Sequence, residues 1–192
     1  MKIYRFLKNF FFVQLRILKY NYLSTCKKIL GKPLVFHPVL CNGYGSISFE
    51  KNVQLGVVKS PNFYSHYSYF EAREKEATIV IGKNTAINNN ASFIAEKTNI
   101  RIGENVLIGV NCHIYDSDFH SIHPQKRTSN SHICKEVIIE NNVFIGNNVT
   151  LLKGSFIGEN SVVAAGSIVS GKFPKNVVLG GNPAKIIKDL DV

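Results

Sequence analysis

The stretch Ile139-Glu-Asn-Asn-Val143-Phe-Ile145-Gly-Asn-Asn-Val149-Thr-Leu151-Leu-Lys-Gly-Ser155-Phe-Ile157-Gly-Glu-Asn-Ser161-Val-Val163-Ala-Ala-Gly-Ser167-Ile-Val169 decides the architecture. An aliphatic residue returns at every sixth position, from Ile139 to Val169. Four residues after each of the first five stands a small or β-branched one: Val143, Val149, Ser155, Ser161 and Ser167. A helix needs apolar residues at i, i+3, i+4 and i+7, and a half-buried strand needs strict alternation. A period of six fits neither; it fits a short strand followed by a sharp corner. Three such units close a triangular coil of roughly 18 residues, and a short fixed period marks a stacked-repeat fold. Successive coils then lie about 4.8 Å apart, as neighbouring strands do in a sheet. The recurring aliphatic points inward, and the small residue points inward near a corner, where room is short. Gly and Asn tolerate left-handed backbone, and both fall at the expected corners 103–105, 141–142, 146–148 and 158–160.

Working outward, Ile81, Ile87 and Phe93 keep the beat, as do Ile102, Ile108 and Ile114, with Thr85, Ala91, Val106 and Cys112 as companions. The steps also mark interruptions. Phe93 to Ile102 is nine residues, three more than the beat; Ile114 to Ile139 is 25, one hexapeptide plus 19. The second excursion is a loop inserted at 115–136 in a repeat domain spanning 46–192. Insertions in a solenoid go to the binding face, and long loops in compact domains are commonly functional.

The net charge of +10 over 192 residues sits almost wholly at one end. Residues 1–49 hold Lys2, Arg5, Lys8, Arg16, Lys19, Lys27, Lys28 and Lys32, with no acidic residue before Glu50. Residues 1–45 read as a basic, aromatic helical appendage. At 100° per residue Lys2, Arg5, Lys8, Arg16 and Lys19 share one sector, while Ile3, Phe6, Leu7, Phe10, Phe11, Ile17 and Leu18 lie mostly outside it. Phe12 and Gln14 spoil the pattern. A basic amphipathic helix reads as a membrane-surface element, here through residues 1–32; packing on another subunit or on the end of the prism is the alternative. The rest of the chain has no basic stripe, so no nucleic-acid partner is expected. The longest apolar run near the N-terminus, Phe10–Val13, is too short for a secretory signal or a membrane span. A cytoplasmic protein, peripheral at most to the inner membrane face, is expected. Cys26, Cys41, Cys112 and Cys134 show no metal or disulfide spacing and read as reduced thiols.

The inserted loop carries the chemistry. It reads Tyr115-Asp-Ser-Asp-Phe-His-Ser-Ile-His-Pro124. An imidazole, whose ordinary pKa value lies near neutrality, is poised to take a proton from a nucleophile as it attacks. A carboxylate such as Asp118 or Asp116 would hold the imidazole's tautomer, though a backbone carbonyl would serve as well. His123 and His132 share the loop, where structural or solvated histidines are ordinary. Further on come Val163-Ala-Ala-Gly-Ser-Ile-Val-Ser170, then Gly-Lys-Phe-Pro174, then Gly180-Gly-Asn-Pro-Ala-Lys-Ile-Ile-Lys188. Ala164, Ala165 and Gly166 leave either a tight corner or a groove in the prism wall; Lys172, Lys185 and Lys188 suit phosphates.

The repeat, the loop and this closing segment together resemble the hexapeptide-repeat acyltransferases, specifically the sugar O-acetyltransferases, over residues 80–188. Periodicity does not give the hand of the coil; the resemblance implies an all-β, left-handed parallel β-helix, with an N-terminal amphipathic helical segment and a short C-terminal tail. It implies acetyl-CoA as donor and a homotrimer with sites between subunits. It implies His120 as general base with Asp118 beside it, coenzyme A contacts at Asn147, Ala165, Ser170, Gly171, Lys185 and Lys188, and an acceptor contact at Asn88. At Gly171 relatives often have Lys, which here follows as Lys172. No metal is expected: His113, His120 and His123 suggest the zinc site of γ-class carbonic anhydrases, but their spacing is not a ligand pattern. The expected reaction is direct acetyl transfer to a sugar hydroxyl in surface polysaccharide or lipopolysaccharide synthesis. N-acetylation of an amino sugar and a non-catalytic scaffold are the alternatives.

Overall fold

The computed structural model describes residues 2–129 and 131–191. Its strands fall into three sheets of seven, eight and six strands, the three walls of a prism, parallel throughout except for the last strand of the eight-stranded one. Wall one is built from strands starting at Lys28, Ser46, Thr78, Asn99, Val137, Phe156 and Lys172. Wall two starts with Leu34 and Gln54 and wall three with Val39 and Ser68, and each coil visits the walls in that order. Register follows the period: Ile102 pairs with Ile139 and Ile139 with Ile157, on one wall; Ile108 pairs with Ile145 and Ile145 with Val163 on the next.

The inward column is the expected one. Ile139, Ile145, Leu151, Ile157, Val163 and Val169 are buried, and so are the companions Val143, Val149, Ser155, Ser161 and Ser167. The buried serines keep their hydroxyls satisfied on backbone: Ser155 Oγ donates to the Leu152 carbonyl at 2.6 Å, and Ser167 Oγ to that of Ala164, also at 2.6 Å. Phe70 and Phe93 stack coil on coil, centroids 4.8 Å apart.

The corners divide labour between Asn and Gly. Asn84, Asn105, Asn142, Asn148 and Asn160 all take φ between 55° and 60°, where Asn is among the few non-glycine residues at home. Their amides form ladders, Asn84 Nδ2 donating to Asn105 Oδ1 at 3.1 Å and Asn142 Nδ2 to Asn160 Oδ1 at 2.9 Å. Gly158 is required for a different reason. A Cβ there would lie 2.3 Å from the Lys175 nitrogen of the next coil, so only glycine lets the backbones stack.

Three features differ in detail from the sequence expectation. The first coil begins at Lys28, so residues 28–45 belong to the prism and the helical part ends at Leu23. That helix runs as α1 (Lys2–Asn9) and α2 (Leu15–Leu23), joined by a π-helical turn at Phe10–Gln14. The widened turn buries Val13 and leaves Phe10, Phe11 and Phe12 exposed. Arg16, expected on the basic face, turns inward and donates to the carbonyls of Phe63 and His66. Finally, the C-terminal segment is a strand rather than a tail: Ala184–Asp189 folds back antiparallel on Val177–Gly181.

Candidate active site

The inserted loop leaves the prism at the corner between walls three and one, after the strand His113–Tyr115 and before Val137–Ile139. Its stems are joined by an antiparallel bridge between Ser117 and Cys134 and by the Lys135 amide donating to the Asp116 carbonyl at 2.8 Å. Phe119 takes a left-handed φ of 59°; its amide donates to Ser117 Oγ at 2.8 Å. Its ring meets Tyr115 edge-on at 5.7 Å and lies 5.2 Å from the Arg73 guanidinium.

These contacts aim His120. Its amide donates to the Asp118 carbonyl at 2.7 Å, and its Nδ1 lies 3.0 Å from the Arg127 carbonyl oxygen. A carbonyl can only accept, which assigns the proton to Nδ1 and leaves Nε2 with a free lone pair on an exposed side chain. Asp118, expected beside the imidazole, instead holds Lys153, Oδ1 to Nζ at 2.7 Å. The full ammonium charge is the stronger partner for a carboxylate than a neutral ring. Asp116 is buried and caps the coil below, accepting from the amides of Glu96, Lys97 and Thr98 at 2.7, 3.1 and 2.8 Å. Of His113 and His123, suggested above beside His120 as a metal set, His113 faces Tyr115, whose hydroxyl lies 3.2 Å from its Nδ1.

Along the same corner runs a groove of about 500 Å³. Lys135, Lys153, Lys172, Ser170 and Gly171 line it, with Glu136 the one acid. Gly171 has φ 115° and nothing within 4 Å of a Cβ position, so the groove floor is open there. Two of the expected donor contacts, Ser170 and Gly171, thus share a corner with His120. The others do not. Asn147 and Ala165 sit at the corner between walls two and three, where Asn147 Oδ1 accepts from the Val110 amide at 3.0 Å and its carbonyl from Gly166 at 2.8 Å. Asn88 lies at the same corner, half-buried, its Oδ1 accepting from the next amide. Lys185 and Lys188 are exposed on the returning C-terminal strand of wall two.

Cys41, Cys112 and Cys134 are poorly suited to covalent chemistry. Burial pushes the Cys41 thiol up to about 12 and the Cys112 thiol higher still. Burial also raises Cys134. A protonated thiol is a weak nucleophile.

The family described as bacterial transferase hexapeptide (six repeats) matches residues 136–171, and the hexapeptide repeat of succinyl-transferase matches 99–115. Galactoside O-acetyltransferase of Escherichia coli K12 is 32% identical over 173 residues, covering 86% of this chain and 80% of that protein. The putative lipopolysaccharide biosynthesis O-acetyl transferase WbbJ of the same organism is 32% identical over 166 residues, 81% of this chain and 78% of its own. Among solved structures, the hexapeptide-repeat acetyltransferase VCA0836 of Vibrio cholerae, complexed with acetyl coenzyme A, superposes with a TM-score of 0.56 at 39% identity, over 59% of this chain and 61% of that one. The prism is therefore the left-handed parallel β-helix. The chain belongs to the hexapeptide-repeat acetyltransferases.

Reasoning from sequence missed Lys153, Arg127 and Glu96. Lys153 carries a visible signal, a cation one coil beyond the loop at the loop's own corner. Arg127 acts through its carbonyl, which no residue type announces.

Proposed function

We propose that this chain transfers an acetyl group from acetyl-CoA to a hydroxyl of a sugar, in the building of a surface polysaccharide or lipopolysaccharide, with His120 as general base. The observation that carries the reading is the Nδ1 contact of His120 with the Arg127 carbonyl, beside a cationic groove. It leaves Nε2 free to take the acceptor's proton as the oxygen attacks the thioester carbonyl. Collapse of the tetrahedral intermediate breaks the C–S bond, and the imidazolium returns the proton to the departing thiolate of coenzyme A. The raised thiols of Cys41, Cys112 and Cys134 favour direct transfer over an acyl-enzyme. Lys135, Lys153 and Lys172 suit the phosphates of the donor.

The division of the expected contacts between two corners supports a trimer, in which the corner bearing Asn88, Asn147 and Ala165 of one copy faces the loop corner of the next. Wall two offers a surface for such packing: Leu34, Leu107 and Phe144 stand outward on it and are about half exposed. At the N-terminal end, Leu7, Phe11, Phe12 and Tyr64 line an apolar hollow with Lys8 beside it, on a segment without acidic residues. This supports contact with an anionic membrane surface from the cytoplasmic side. Among the described residues no helix is long and apolar enough to cross a membrane.

The test is release of free thiol from acetyl-CoA by wild type and His120→Ala with a panel of sugars and amino sugars. Sugar-dependent release lost in the variant supports the reading; release only with amino sugars makes it an N-acetyltransferase. Release with none, together with no coenzyme A binding by calorimetry, overturns it. Sedimentation with and without phosphatidylserine vesicles tests the membrane contact.

A further inference from the structure

Beneath the inserted loop lies a buried polar cluster that the reaction described above does not use. Glu96 follows the strand Ser92–Ala95 at the corner one coil below the loop and is 7% exposed. Its Oε2 accepts from Ser117 Oγ on the outgoing stem of the loop, and from His132 Nε2 at 2.8 Å and Cys134 Sγ at 3.8 Å on the returning stem. Its other oxygen faces Arg73 at 3.9 Å, and that arginine also covers the ring of Phe119, next to His120. One carboxylate thus ties both ends of the loop, and the residue before His120, to the rigid coil beneath.

The physical logic is that of a clamp. A loop with 19 residues beyond the repeat orders only at a large cost in chain entropy, and this one has almost no apolar anchor: Ile122 and Ile133 are exposed. What holds it is polar. Hydrogen bonds to a charged acceptor are stronger than neutral ones and stronger again when buried. Burial pushes the Glu96 carboxyl up, but Ser117, His132 and Arg73 outweigh it and hold it below the usual carboxylate range. It is therefore charged at neutral pH.

Glu96, His132 and Cys134 lie close enough together to bind a metal ion. The surroundings argue otherwise. A metal-bound imidazole almost always donates its second N–H to a carboxylate, carbonyl or water, whereas His132 Nδ1 is buried with no hydrogen-bond partner. Nε2 faces a carboxylate oxygen, which can only accept, and this makes His132 a hydrogen-bond donor to Glu96.

We infer that Glu96 is a positioning residue for the acetyl-transfer reaction: through Ser117 and His132 it fixes both stems of the loop and thereby the reach of His120. The inference rests on His120 being the base, but its first readout does not. Hydrogen exchange on the full chain would compare wild type, Glu96→Ala, Glu96→Gln and His120→Ala. In Glu96→Ala, amides of 117–121 and 131–135 should lose protection by tenfold or more while those of 137–173 keep theirs. Glu96→Gln keeps an acceptor oxygen and should restore most of the protection, and His120→Ala should leave it unchanged. Thiol release by the same proteins should show a lower kcat in Glu96→Ala at an unchanged KM for acetyl-CoA, with recovery in Glu96→Gln. Equal loop protection in wild type and Glu96→Ala overturns the inference, as does a loss spread evenly over the prism. If His120→Ala keeps full turnover while Glu96→Ala frees the loop, the clamp stands and the base assignment falls.

Discussion

The coils from Val137 to Phe173 and the loop just before them are held by opposite means. In the coils every sixth side chain enters a dry column, and the inward polar groups are serines that bond to backbone within their own corner or the next coil. In the loop Ile122 and Ile133 face outward and the inward contacts are largely polar: Asp116 on the amides of 96–98, His132 on Glu96, and the pair Asp118–Lys153. A repeat can be lengthened or shortened without altering its chemistry. A loop pinned by a few charged groups is specified residue by residue, and one substitution can move its catalytic end.

If this contrast is sound, the largest effect on turnover lies in the loop with none on stability. His120→Ala should lower turnover by roughly 10²–10⁴-fold, the usual worth of a general base, with an unchanged melting temperature. In the coils the reverse should hold. Leu151→Ala empties a fully buried position of the column and should cost about 2–5 kcal/mol, read as a cooperative loss in denaturant unfolding. Asn148→Ala sharpens the comparison at a corner: a non-glycine residue without a polar side chain at φ 56° should cost roughly 1–2 kcal/mol, and Asn148→Gly should recover most of it.

The smallest effects are electrostatic. Asp118→Asn breaks a pair whose side chains are 31% and 24% exposed, so stability should change by less than about 1 kcal/mol. A kcat loss as large as that of His120→Ala would show instead that Asp118 orients the imidazole. His37 gives a pH test outside both regions. Burial depresses it, and Arg16 and His66 add to this against the carbonyls of Ser65 and Asn62. A depressed histidine favours the neutral form, so its contribution is complete above the ordinary value of 6.5 and is lost as pH falls below it. Wild type should lose more melting temperature between pH 8 and pH 5 than His37→Gln.

The coils from Ile81 onward were legible because inward burial is a one-residue-in-six constraint that leaves its mark on residue type. The first coil carries the same beat, Ile29, Val35, Cys41 and Ile47, yet it is obscured by its basic surroundings and a polarisable cysteine. Being terminal, it leaves Ile29 and Val35 more than a third exposed. Helix α1 and α2 were legible as amphipathic, but the π turn that swings Arg16 inward depends on the segment 63–66 it meets in space. His120 was visible as chemistry in an insertion. Its partner was not, because Arg127 contributes a carbonyl. Nor was Glu96, whose partners lie 21 and 36 residues away.

The returning strand Ala184–Asp189 has a consequence for the life of the protein at high concentration. A stack of parallel strands ends in a row of open donors and acceptors, a template on which another prism could grow into a fibre. By reversing direction at the last position of its wall, the chain covers that row on wall two with a strand of opposite sense carrying Lys185 and Lys188. Polymerisation end to end is thereby discouraged by the same six residues that finish the fold.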